Sequence, residues 1–180
     1  MTEILQCKRS LHQHEKAREI VRKVGLATQS QLQYHISDIT SLALEAVFPN
    51  PYELKVEFVE RRNKTECDLK FIRDENEITP LSEGGLGAAD VASFALRVAS
   101  WSMLRPRTCN TIILDEPFKH LKGEQANLKV LQMINEISRK LKIQIIMVSD
   151  ERISREDIID SADRVFEVSI KNRKSKVEVI

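Results

Sequence analysis

The segment Thr111-Ile112-Ile113-Leu114-Asp115-Glu116-Pro117 joins four residues suited to a buried strand to two adjacent carboxylates and a proline. Neighbouring side chains of a strand point to opposite faces, so Asp115 and Glu116 are free to take different tasks. Open α/β sheets bind their ligands outside the carboxyl ends of their strands. A carboxylate there can hold a divalent cation, directly or through water, while its neighbour orients and polarises an attacking water. Asp115 is therefore the expected metal residue and Glu116 the expected catalytic one. An acidic pair can also simply begin a solvated loop. The strongly apolar run before it and the proline after it favour chemistry.

A second group lies one helix upstream. Residues 81–89 read Leu-Ser-Glu-Gly-Gly-Leu-Gly-Ala-Ala and hold three of the chain's five glycines. The N-terminus of a helix offers unpaired N–H groups and the positive end of its dipole, and glycines let a phosphate approach the backbone. Ser82, Gly84, Gly85 and Gly87 are the expected phosphate-facing residues. A flexible loop ahead of a capped helix has the same composition, so position beside the acidic strand carries the weight. A third group, Ser149-Asp150, ends the next strand, next to Asp115 if the two strands are neighbours, where Asp150 is a further candidate to face a phosphate. Asp150 would repel a phosphate unless a metal or a basic group intervened, and a turn cap is the plain alternative. His12, His14, His35 and His120 show no ligand spacing. Lys119, His120 and Lys122 can touch a nucleotide or a partner, or merely line a solvated loop.

The elements that position these groups follow from periodicity. Residues 1–48 read as a helical arm, with Leu32, Ile36, Ile39, Ala43 and Ala46 at three- and four-residue steps. Thr28 and Gln31 can form a capping box, which allows a break near residues 25–28. The pattern is that of an amphipathic helix or helix pair, or the stub of a coiled coil. Pro49-Asn50-Pro51 ends it. Leu54, Val56 and Phe58, then Cys67, Leu69 and Phe71, alternate with polar residues and predict a β-hairpin. A helix is expected from Asp90 to about Leu104, then the acidic strand, then an amphipathic helix from Glu124 to Leu141. The strand Ile143 to Val148, a short helix Arg155 to Ala162 and the strands Arg164 to Ile170 and Lys176 to Ile180, the last closing a hairpin, complete the chain. Strands alternating with helices imply an α/β fold with a parallel sheet. The expected organisation is an arm over 1–48 and an α/β lobe over 49–180.

Composition narrows the class. With 180 residues, 42% hydrophobic and 31% charged, the chain is long enough for one globular domain with an appendage. A net charge of +1 argues neither for nor against nucleic acid. Three widely spaced cysteines without a Cys-x-x-Cys pair predict a reduced, cytoplasmic protein with no disulfide framework and no zinc site. No apolar run reaches the length of a membrane span. Aromatic residues make up 5%, too few for a base-stacking platform.

Taken together, the residues resemble the C-terminal half of an ABC-type ATPase head of the SMC-like and SbcC-like family, over roughly residues 28 to 170. The order is the family's: coiled-coil exit helix, β-hairpin, signature loop and helix, Walker B strand, D-loop, switch strand. Gly84-Gly85-Leu86-Gly87 ahead of Asp90-Val91-Ala92-Ser93-Phe94-Ala95-Leu96-Arg97 is similar to a phage and bacterial subgroup, as are Ile112 to Lys119 and Gln144 to Val148. The resemblance implies a parallel-sheet lobe with a helical subdomain, ATP and Mg²⁺ as cofactors, and a role in DNA repair or recombination. It implies as partners a second ATPase head, a nuclease subunit and DNA, with no membrane. In this family the signature loop binds the γ-phosphate of ATP held by the opposing head.

The sequence departs from that pattern in four places. No Gly-x-x-x-x-Gly-Lys-Ser/Thr occurs in it, so the P-loop must come from an N-terminal lobe elsewhere. The switch histidine aligns with Asp150, and the D-loop aspartate with Lys122. The signature serine aligns with Ser82 by its Leu-Ser start, or with Gly84 by counting back from the helix. The chain alone is therefore expected to bind ATP negligibly. A non-hydrolysing dimerisation or nuclease-docking module of the same fold is the main alternative, and an unrelated metal-dependent phosphohydrolase is a third.

Overall fold

A computed structural model describes residues 2–62, 64–106, 108–149, 152–171 and 173–180. Helix α1 (Thr2–Val47) is continuous. The break that a capping box would allow near residues 25–28 is absent, and Thr28 makes a different bond. Its Oγ1 donates to the Val24 carbonyl at 2.9 Å, inside the helix, instead of capping a new one. Gly25 is tolerated in open space, with nothing within 4 Å of where a Cβ would stand. Gly25→Ala should therefore stabilise this stretch by about 1 kcal/mol, read as slower amide exchange in the adjoining turns.

From residue 3 to residue 28 the helix is exposed. Beyond, Thr40, Ala43, Leu44 and Val47 are buried at the i, i+3, i+4, i+7 spacing of a core-facing stripe. That stripe is rotated from the expected one: Ala46 is exposed, and Thr40 is buried with its hydroxyl unpartnered.

Strands β1 (Glu53–Arg61) and β2 (Lys64–Arg73) form the expected hairpin, with Leu54 opposite Phe71, Val56 opposite Leu69 and Phe58 opposite Cys67. Leu54, Val56 and Phe71 are buried, whereas Leu69 and Cys67 are exposed, so the core lies under the base of the hairpin. The outer edge of β1 is closed by α1. The Leu54 N–H donates to Ser41 Oγ at 2.9 Å and the Val56 N–H to Ser37 Oγ at 3.3 Å. A short strand β3 (Asn76–Ile78) adds to β2. The sequence hides it, because the two-residue turn before it is Asp74-Glu75, both at positive φ without a glycine. On this sheet Lys55 and Lys70 pair with Glu57 and Glu77, and hydrogen bonds from Lys55 and then Lys70 hold the Glu77 carboxyl down at about 2.

Helix α2 (Leu86–Met103) begins a turn earlier than expected, because the small residues Gly87, Ala88 and Ala89 can wind into it and bury Ala88. Strand β4 (Thr111–Asp115) leads through helix α3 (Glu124–Leu141) to β5 (Gln144–Val148), paired in parallel as the alternation implied. Ile112 and Leu114 on the inner face of β4 join α2, α3 and the end of α1 in the core. The outer face of the pair is open: Ile113, Ile146 and Val148 are 69%, 47% and 52% exposed.

Helix α4 (Arg155–Ser161) is capped by Ser154, whose Oγ accepts from the Asp157 N–H. Strands β6 (Phe166–Lys171) and β7 (Lys174–Val179) then form an antiparallel pair. The strand before Lys176 was expected to pair with the last strand in a hairpin, and β6 does so. Among the described residues it pairs with β7 alone. One face of this hairpin carries Phe166, Val168, Ile170, Val177 and Val179, all exposed. Among the described residues no helix is long and apolar enough to cross a membrane.

Candidate functional site

Asp115 is the last residue of β4, exposed on the open face with Ile113. Glu116 is the first residue of a turn and does not continue the strand. Its N–H donates to the Val148 carbonyl at 3.1 Å, which carries the ladder one step further. Its φ of 41° then swings the chain out of the sheet. Strand alternation therefore stops at Asp115, and the turn rather than the pleat directs the backbone at Glu116. Residues other than glycine seldom enter this left-handed region, so the surroundings must hold Glu116 there.

The register Asp115 to Val148 sets Ser149 level with Glu116. Both line a shallow cleft with Phe118, Asn127, Met147 and Arg152. The cleft offers about 20 Å³, room for a single water and far too little for a nucleotide. A larger cavity of about 400 Å³ adjoins it, walled by Lys122, Gly123, Glu124, Arg152, Ser154 and Asp157 among others. Lys122, the residue aligned with the D-loop aspartate, thus borders open volume. Asp150 lies outside the described residues.

The glycine loop lines neither cavity. Its residues differ in what they can offer an anion. The Gly84 N–H is already spent on the Thr79 carbonyl at 3.2 Å, as is that of Glu83 at 3.0 Å. Gly84 is buried, and a Cβ there would stand 2.6 Å from Phe71 Cδ2, so its small size serves packing. Gly85 is exposed at φ 82° and precedes α2 without a side-chain cap. The first intrahelical acceptance runs from the Ala89 N–H to the Gly85 carbonyl at 3.2 Å. The N–H groups from Gly85 to Ala88 therefore open the helix without acceptors on the preceding turn. Ser82 is exposed on the approach.

Among the described residues no three His, Cys, Asp or Glu side chains gather as a metal site. Asp115 supplies one hard oxygen donor. That suits Mg²⁺, which keeps several waters and is held by one or two carboxylates plus substrate phosphates.

The chain matches no protein-family model and no curated protein. Its backbone does match solved structures. One, from work on ATP-driven dimerisation and DNA-stimulated activation of SMC ATPases, aligns with a TM-score of 0.63 at 17% identity over 86% of this chain and 88% of that one. The fold is an α/β one that resembles SMC ATPase heads. An SMC head bound to the C-terminal winged-helix domain of ScpA aligns with a TM-score of 0.63 at 18% identity, over 82% of this chain and 43% of the other. The Pyrococcus yayanosii Smc head domain with a coiled coil and joint aligns at 0.66 and 16% identity, over 91% and 31%. The chain thus spans less than half of those two SMC head chains, while the first is close to it in length.

Sequence reasoning missed what links the two halves of this site. Asp90 and His120 are in contact, and Gly87 packs on Leu121. Asp90 read as the start of a helix. Only its spacing from Gly87 and Phe94 hinted at a shared face.

Proposed function

We propose that this chain is the C-terminal lobe of an SMC-like or SbcC-like ATPase head that couples ATP binding and hydrolysis to DNA repair or recombination. A separate lobe supplies the P-loop, and pairing with a second head completes the site. The observation that carries this reading is an exposed Asp115-Glu116 at the carboxyl end of a parallel strand whose outer face is apolar and uncovered. A monomeric protein rarely leaves such faces open unless something docks there. The SMC-head fold and the match to a chain of similar length support the same reading.

Asp115 would hold Mg²⁺, together with the nucleotide's phosphates. Bound there, the ion would neutralise charge developing on the phosphate oxygens. Glu116 accepts a proton from, and orients, a water in the cleft it shares with Ser149. The amides from Gly85 to Ala88, with Ser82, face the γ-phosphate of a nucleotide on the opposing head. In this arrangement Gly84 supports the loop from below and Gly85 and Gly87 meet the anion. DNA and a nuclease subunit are the further partners.

The open face of β4 and β5 gives a direct test. Ile146→Lys changes an exposed residue and should alter stability by no more than about 0.5 kcal/mol. It should nevertheless abolish binding to the P-loop lobe, sought first in the polypeptide encoded immediately upstream, measured by co-purification. Undiminished binding by that variant would remove the face from the assembly.

A further inference from the structure

Helix α2 meets the carboxylate turn through one face. Gly87, Asp90 and Phe94 stand at i, i+3 and i+7, the spacing that aligns residues along a helix. At Gly87 the two backbones touch: a Cβ there would lie 3.2 Å from the His120 carbonyl oxygen and 3.2 Å from Leu121 Cα. One turn on, Asp90 Oδ2 accepts from the His120 backbone N–H at 2.9 Å, and His120 Nδ1 lies 3.2–3.3 Å from the two carboxylate oxygens. Next, Phe94 meets Phe118 edge to face, with ring centroids 5.6 Å apart. Phe118 and Leu121 are both buried. The turn between is closed by the Lys119 N–H on the Glu116 carbonyl at 3.3 Å and the Leu121 N–H on the Phe118 carbonyl at 2.9 Å.

Of these three contacts, the one at Asp90 is polar and directional, and it grips the main chain. The turn it grips begins with Glu116 in the left-handed region, a conformation that persists where surrounding structure over-determines it. We propose that Asp90 is a positioning residue that ties the helix of the glycine loop to the carboxylate turn, so that the seating of that loop sets the backbone at Glu116. The brace stands on geometry alone; its consequence for turnover rests on the function proposed above. In that setting a phosphate engaging the amides at the start of α2 would be sensed at Glu116 of the same lobe, one helical face away.

Substitution separates the brace from general packing. Asp90→Asn keeps an amide oxygen that can still accept the His120 N–H, whereas Asp90→Ala leaves no acceptor. In the full chain, Asp90→Ala should speed exchange of the His120 amide about tenfold. Exchange in β4 and in the middle of α2 should stay as it is, and Asp90→Asn should restore protection. In the chain combined with its P-loop lobe, Asp90→Ala should lower kcat about tenfold with KM for ATP unchanged, and Asp90→Asn should rescue it. Faster exchange spread evenly over α2 and β4, or an Asp90→Asn variant that behaves like Asp90→Ala, would overturn the brace. Faster exchange at His120 with wild-type kcat would overturn the coupling. A wild-type pair that turns over no ATP counts against the functional reading, and the exchange result then decides the brace by itself.

Discussion

Glu116→Gln is expected to lower ATP hydrolysis by the assembled head about 10²- to 10⁴-fold, the range over which a positioned general base acts. Nucleotide binding and head pairing should remain. Glutamine keeps the shape of glutamate and can still hold a water, but it cannot take the proton. Glu116 is exposed, so the exchange leaves the core untouched. The turn that carries it is fixed by backbone bonds, from its own N–H to Val148 and from Lys119 back to its carbonyl. Steady-state hydrolysis measured beside nucleotide-dependent pairing separates the two properties. Turnover at the wild-type rate would remove Glu116 from the chemistry.

Phe71→Ala is expected to cost about 3–5 kcal/mol of folding stability, a large part of what a domain of this size has to lose. The ring is fully buried. It stacks on Tyr52 at 5.1 Å between centroids, and the Arg73 guanidinium lies over Tyr52 at 4.2 Å. Phe71 also forms the floor beneath the glycine loop, since its Cδ2 stands 2.6 Å from where a Gly84 Cβ would be. Truncation removes apolar transfer energy, leaves a cavity and frees the loop above it. Urea denaturation of the isolated chain should show the loss as a lower midpoint, and amides near Gly84 should exchange faster. A loss below about 1 kcal/mol would mean that the hairpin base can repack without the ring.

The parts of the fold that were legible in the sequence are those with a single strong periodicity. The register of the first hairpin, Leu54 with Phe71 and Val56 with Leu69, came from the structure, but the hairpin itself followed from periodicity. So did α3, which opens at Glu124 after Gly123 and ends at Leu141, where Lys142 takes a left-handed cap. The hidden parts are those where residues of one type serve two ends. Gly87 reads as loop, yet it winds into α2 because its small size lets the helix press on Leu121. Asp74-Glu75 turns the chain through positive φ without the glycine that usually announces it, so β3 went unread. Thr28 fits a cap and is spent on an internal bond.

The placement of the candidate carboxylates was legible in the sequence, and the assembly around them was not. Asp115 and Glu116 stand at the end of β4 as the apolar run required, and Ser149 comes level with them through the parallel pairing. Sequence could not show that Glu116 leaves the strand, since the φ of one residue has no composition signal. Nor could it divide the glycines. Gly84 is called for by an aromatic ring thirteen residues upstream, and Gly85 by a positive φ. The contact of Asp90 with His120 spans thirty residues, and neither partner has a spacing that names the other.

The most direct measurement is ATP hydrolysis with Mg²⁺ by this chain mixed with the polypeptide encoded immediately upstream of it, the first candidate for the P-loop lobe, each also assayed alone. The expected result is turnover in the mixture, none from this chain by itself, and loss of turnover with Glu116→Gln. Complex formation without turnover would identify a docking module of the same fold. Hydrolysis by this chain alone, or no complex with any P-loop lobe, would contradict the account.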